Sequence, residues 1–225
     1  MSVSFQVYRT CLEMAYDRGY IDAKPRLENF SLINTQEEFD TMMDSVEDDG
    51  WEFSAYTSDF PYRYSKSFSI AHTTERKRLF VIFGGGNKNA TVLLSMIIQG
   101  YRQGSERFDM EIVYVHYKDF THAARTEFAT IGERINVQNF QDIDLIKNPG
   151  SHQQGALRYE KMTREEIGRL LSELRAKSSM LQRISVNDPP VKYRGFQRGD
   201  IIRIVRTPTT EGSLCREFYA YRIVV

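Results

Sequence analysis

The chain has 225 residues, 41% of them hydrophobic and 27% charged, which is enough apolar material for a packed core and too much for a disordered segment. Its 30 Lys/Arg balance 30 Asp/Glu, and no apolar run approaches the roughly 20 residues that span a bilayer, the longest being Leu79–Phe83 and Val92–Ile98. The opening Met1-Ser2-Val3-Ser4 lacks the basic-then-apolar order of a secretory signal, and Cys11 and Cys215 stand far apart with no CxxC spacing. That argues against a disulfide scaffold and fits a reducing compartment.

The even balance hides a polarity. Residues 1–49 carry a net −7, residues 50–146 are neutral, and residues 147–225 carry a net +7. Two surfaces with different partners are expected, or two ends that attract each other or are simply solvated.

In chain order, Tyr8, Cys11, Leu12 and Ala15 follow the i, i+3, i+4, i+7 spacing of one buried helix face, with Gly19 supplying the left-handed residue that ends it. Thr35 and Glu38 form a capping box before a second helix that buries Phe39, Met42, Met43 and Val46. Residues 51–72 are aromatic and β-prone, broken at Asp59–Pro61, and read as two strands or a loose ribbon. From Leu79 the pattern alternates. A strand Leu79–Phe83 leads to a helix capped by Asn89 and closed by Gly104, with Leu93, Met96, Ile97 and Tyr101 inward. Strand Glu111–Val115 leads to a helix capped by Thr121, with Ala124, Phe128 and Ile131 inward, and then to strand Ile135–Phe140. This β-α-β-α-β order predicts a small parallel sheet and an α/β class.

Lys147–Ser151, punctuated by Pro149 and Gly150, is the expected domain boundary, giving units 1–146 and 147–225. Beyond it, Thr163 and Glu166 form a capping box before a helix burying Ile167, Leu170, Leu171 and Leu174. Asp188-Pro189-Pro190 reads as a rigid extended turn, and Ile201–Arg206 and Phe218–Val225 as strands. The last strand reaches the final residue, so this end is expected to be structural.

No motif amounts to a catalytic constellation. Gly84-Gly85-Gly86-Asn87-Lys88-Asn89 follows a strand, but Asn89 stands where GxGxxG has its third glycine and the GK[ST] of a P-loop is absent. It reads as a turn with a helix cap. Glu75-Arg76-Lys77 has the acid-x-lysine spacing of some nucleases, yet the second acid such sites need has only Asp59 as a nominal candidate. His72, His116, His122 and His152 show no zinc spacing, so no metal and no cofactor are expected. The acids Asp44, Glu47, Asp48 and Asp49 lack the turn of a calcium loop. The densest basic-aromatic stretch is Tyr62–Arg78, with Arg63, Lys66, Arg76 and Lys77 among its cations. Thr121, His122 and Arg125 put neutral and basic donors at a helix start, which suits a phosphate or simply caps the helix.

The C-terminal third carries a family resemblance. Leu181-Gln182-Arg183-Ile184-Ser185-Val186-Asn187-Asp188-Pro189-Pro190-Val191-Lys192-Tyr193, then Gly195–Arg206, then Tyr219–Val225 resemble the assembly domain of the fifth subunit of eukaryotic nuclear RNA polymerases and of its archaeal counterpart. The helix running into Asp17-Arg18-Gly19-Tyr20 is similar to the opening of the eukaryotic form. There are departures. Residues 207–212 stand for the hairpin before the last strand and residues 213–218 lengthen it, the linker reads Asn148-Pro149-Gly150-Ser151-His152, and His122 stands where the family tends to have proline. They imply a divergent lineage or a paralogue specialised for one polymerase.

The resemblance implies a jaw domain over 1–146 and a compact α+β assembly domain over 147–225. It implies a non-catalytic, nuclear polymerase subunit, shared among polymerases I, II and III or specific to one such as polymerase I. The expected partners are the largest subunit, other polymerase subunits and downstream duplex DNA, with neither membrane nor small-molecule substrate. Lys118, Thr121, His122 and Arg125 would lie closest to DNA. Asp188, Pro189, Tyr193, Gly195, Gly199, Asp200, Arg206, Tyr221 and Arg222 would face other subunits. The rival reading is a metal-dependent nuclease or nucleotide-binding enzyme on the same α/β core. A free DNA-binding adaptor fits less well, because residues 1–146 are acidic overall.

Overall fold

The computed structural model describes residues 3–20, 28, 33, 35–45, 66–72, 75–85, 94–95, 98–99, 109–132, 135–150, 157–206 and 217–225. They belong to two compact units, residues 1–147 and 148–225. Both units contain a mixed sheet with helices, so the fold is α/β.

In the first unit α1 (Phe5–Asp17) and α2 (Gln36–Ser45) precede β1 (Phe68–Ala71), β2 (Lys77–Gly84) and β3 (Asp109–His116). Then come α3 (His122–Gly132), β4 (Asn136–Gln141) and the single turn α4 (Asp142–Leu145). The sheet order is β1-β2-β3-β4; β2, β3 and β4 run parallel, and β1 adds antiparallel at one edge. Leu79–Phe83 is a continuous apolar run because β2 is buried on both faces. Phe80, Ile82, Ile112 and Tyr114 pack under Ala124 and Phe128 of α3, together with the helical residues Leu94 and Ile98. On the opposite face Tyr8 of α1 meets Phe83, Phe68 of β1 and Phe39 of α2 at ring-centroid distances of 5.7, 5.1 and 5.4 Å.

The expected face of α1 is buried in full, Tyr8, Cys11, Leu12 and Ala15 included. Burial also pushes the Cys11 thiol far up from its ordinary pKa, with Asp142 adding to the effect. The Thr35–Glu38 box is formed: the Glu38 N–H donates to Thr35 Oγ1 at 3.2 Å, and the Thr35 N–H donates to Glu38 Oε2 at 3.3 Å. The helix after β2 shows Leu94 and Ile98 buried, two positions the periodicity does not single out, while Leu93, Met96, Ile97 and Tyr101 lie outside the described residues. So do Val46, the side chains of the 44–49 acidic run, Asp59, Tyr62–Tyr64, Gly86–Asn89, Ser151, His152 and residues 207–216.

Gly19 ends α1. At φ +91° it lets its own N–H reach Tyr16 O at 2.9 Å and the Tyr20 N–H reach Ala15 O at 3.0 Å, the paired bonds of a Schellman turn. The turn aims Arg18 and Tyr20 at one carboxylate. Arg18 donates through Nη1 to Glu111 Oε1 and through Nη2 to Gln138 Oε1 at 2.7 Å, and the Tyr20 hydroxyl donates to Glu111 Oε2 at 3.1 Å. Burial first, and then the Glu111 charge, drive the Tyr20 phenol well above its ordinary pKa.

In the second unit β5 (Leu157–Lys161) and α5 (Arg164–Glu173) lead through a 3-10 turn (Ser178–Met180) to β6 (Gln182–Ile184). α6 (Pro189–Tyr193), β7 (Ile201–Arg206) and β8 (Phe218–Val224) follow. The sheet order is β5-β7-β8-β6, with β6 parallel to β8 and the other pairs antiparallel. One face packs Ile202 and Val224 against Val191 and Phe196; the other packs Ile201 and Ile223 against Ile167 and Leu170 of α5. Leu174, expected inward, is 53% exposed, because it is the C-cap at the end of the helix.

The Thr163–Glu166 box starts α5, with the Thr163 N–H donating to Glu166 Oε2 at 2.8 Å. The expected extended turn at Asp188-Pro189-Pro190 is instead the start of α6. Proline at the first helical position lacks only an N–H that would have no partner in the helix, and its fixed φ is already helical. A second Schellman turn ends α5: the Arg175 N–H donates to Ser172 O at 3.2 Å and the Ala176 N–H to Leu171 O at 3.1 Å, with Arg175 at φ +47°. A side chain is disfavoured there. Arg175→Gly is expected to stabilise this unit by about 0.5–1 kcal/mol, read as a higher urea midpoint for its transition.

Candidate functional site

Two groups of residues are built by the fold. The first lies where the parallel strands of the N-terminal sheet end. The buried His116 closes β3, and its Nδ1 lies 2.7 Å from Lys118 O; a carbonyl only accepts, so Nδ1 carries the proton. The His116 ring packs on Phe120 at 4.3 Å, and Phe120 on Phe128 of α3 at 5.0 Å. These contacts fold the 117–120 turn onto the core and leave Tyr117, Lys118 and Asp119 exposed. The Lys118 ammonium sits 5.6 Å from the Tyr117 ring centroid, and Asp119 accepts a hydrogen bond from the Gln141 amide. Thr121 Oγ1 lies 3.4 Å from the Ala124 N–H, a long cap. Lys118, Thr121, His122 and Arg125 thus stand exposed on one turn and the first turn of α3. Basic side chains around a helix N-terminus can receive a phosphate.

The second group is in the C-terminal unit, where most of the expected interface residues have work inside the fold. Tyr193 is fully buried, and a Cβ at Gly150 would come within 2.7 Å of its ring. Gly195 and Gly199 adopt φ +73° and +90° in the turn before β7. The Asp200 carboxylate accepts from the Gln197 N–H at 2.8 Å and pairs with Lys161 at 2.8 Å. Tyr221 packs with the α5 cluster, and the Arg222 guanidinium donates to Gln182 of β6. Asp188 is half-buried at the N-cap of α6, and that burial raises its carboxyl pKa. Pro189 and Arg206 are exposed.

A charged lattice on the β5, β7 and β8 face joins the expected Tyr221 to residues outside the expected sites. Arg203 donates through Nε and Nη2 to Glu160 Oε2 at 2.9 and 2.7 Å, and Arg158 pairs with Glu217 at 2.9 Å. With Tyr219 and Tyr221 these residues line a shallow depression of about 400 Å³. Its one signal in the sequence is the alternation Arg158, Glu160, which carries meaning only once β5 is known to be a strand.

The residues behind the rival reading are engaged otherwise. Glu75 lies in the β1–β2 turn, where its N–H donates to His72 Nδ1 at 3.0 Å. Its carboxylate bonds Lys77, which lowers its pKa. Gly85 offers its carbonyl to the Tyr114 hydroxyl at 2.8 Å.

Residues 151–224 match the family model for the C-terminal domain of RNA polymerase Rpb5. The chain is 25% identical over 222 residues to the Caenorhabditis briggsae protein named DNA-directed RNA polymerases I, II, and III subunit RPABC1, covering 98% of this chain and 95% of that one. It is 24% identical over 191 residues to the Dictyostelium discoideum protein of the same name, covering 82% and 94%. It is 23% identical over 221 residues to DNA-directed RNA polymerase subunit 5-like protein 1 of Arabidopsis thaliana, covering 98% and 95%. None of these names supports a nuclease or a nucleotide-binding enzyme.

Proposed function

We propose, from the premise that this chain is a divergent member of the fifth-subunit family of DNA-directed RNA polymerases, that it serves as a non-catalytic subunit of such an enzyme in the nucleus. The observation that carries the reading is the extent of the similarity. It runs over 98% of the chain in relatives named as subunits of polymerases I, II and III, and the family model matches 74 residues of the C-terminal unit, 151–224.

In this reading residues 147–225 anchor the protein to the largest subunit, and residues 1–146 form the jaw beside downstream DNA. The net +7 of residues 147–225 suits an acidic docking surface, and the acidic first 49 residues suit a domain that touches DNA only locally. Tagged full-length protein, purified from cells of its source, is expected to bring down polymerase large subunits in stoichiometric amount. Recovery of the protein alone would overturn the assignment.

Lys118, Thr121, His122 and Arg125 are the proposed DNA contacts, through phosphates rather than bases. Polymerase assembled with Arg125→Ala is expected to hold downstream duplex less tightly by a similar factor on every template. The slope of log affinity against log salt should fall by about 0.9 for one lost phosphate contact. A defect confined to certain sequences would count against this placement.

A further inference from the structure

We draw no further inference here: the strongest candidate, the exposed apolar side chains of Ile143 and Ile146 on and just after α4 at the carboxyl end of the N-terminal sheet, carries nothing because nothing in the structure shows what covers them.

Discussion

Glu111→Ala is expected to destabilise the N-terminal unit by about 3–5 kcal/mol, the range for removing one partner of a buried ion pair. The Arg18 side chain is 3% exposed and that of Glu111 16%, so water can do little to replace the lost carboxylate. Arg18 would keep its bond to Gln138, while the Tyr20 hydroxyl would lose its acceptor. The loss joins two distant parts of the chain, because Arg18 ends α1 and Glu111 lies in β3. Urea denaturation of the full chain, followed by hydrogen exchange at β3 amides, measures it. The paired replacement Arg18→Met with Glu111→Leu should recover the part of the deficit that comes from the unpaired charge, leaving the cost of the Tyr20 hydroxyl without its acceptor. A single-variant loss below about 1 kcal/mol would show that the pair behaves like an exposed one.

Deleting Tyr221–Val225 is expected to unfold the C-terminal unit and abolish recovery with polymerase large subunits. β8 lies between β7 and β6, so the deletion strips hydrogen-bonding partners from both. It also removes the buried Val224 and the packed Ile223. At about 25 cal/mol per Å² of apolar area and about 1 kcal/mol net per hydrogen bond, the loss exceeds roughly 5 kcal/mol. That is comparable to the whole stability of a small domain. Circular dichroism of the truncated chain should show lost sheet signal, and co-purification should fail. Normal yield with the large subunits would refute the anchoring role proposed for this unit. Arg206→Glu separates folding from docking. That exposed side chain at the end of β7 should leave the unit folded and weaken incorporation only if this edge faces a partner.

Local signals in the sequence are legible wherever one short stretch contains the whole physical cause. The α1 stripe, the Thr35 and Thr163 capping boxes and the glycine that ends α1 each depend on residues within about five positions, and each stands in the structure. The apolar run Leu79–Phe83 announces a strand covered on both faces, and the alternation after it announces the parallel trio β2, β3 and β4. The proline pair at 189–190 is local too, yet ambiguous, because an extended turn and the first turn of a helix accept the same φ.

The resemblance to the fifth-subunit family likewise rests on linear motifs, Asp188–Tyr193 and Gly195–Arg206 above all. In the fold these motifs hold a core residue and a turn: Tyr193 fills the core beside Gly150, and two glycines take left-handed φ in a turn tied by Asp200. What the sequence alone could not disclose depends on pairs far apart in the chain. Arg18 meets Glu111 across 93 positions, and Arg203 meets Glu160 across 43. A charge has no sequence period that names its partner, and a carboxylate on a strand can face core or solvent according to a one-residue change of register. Residues 5–20, 36–39 and 163–170 therefore determined their own helices. Tertiary structure decided that β1 joins the parallel strands antiparallel, that the half-buried Glu111 accepts from Arg18 and Tyr20, and that Lys118, Thr121, His122 and Arg125 are left exposed on one turn and the helix start after it.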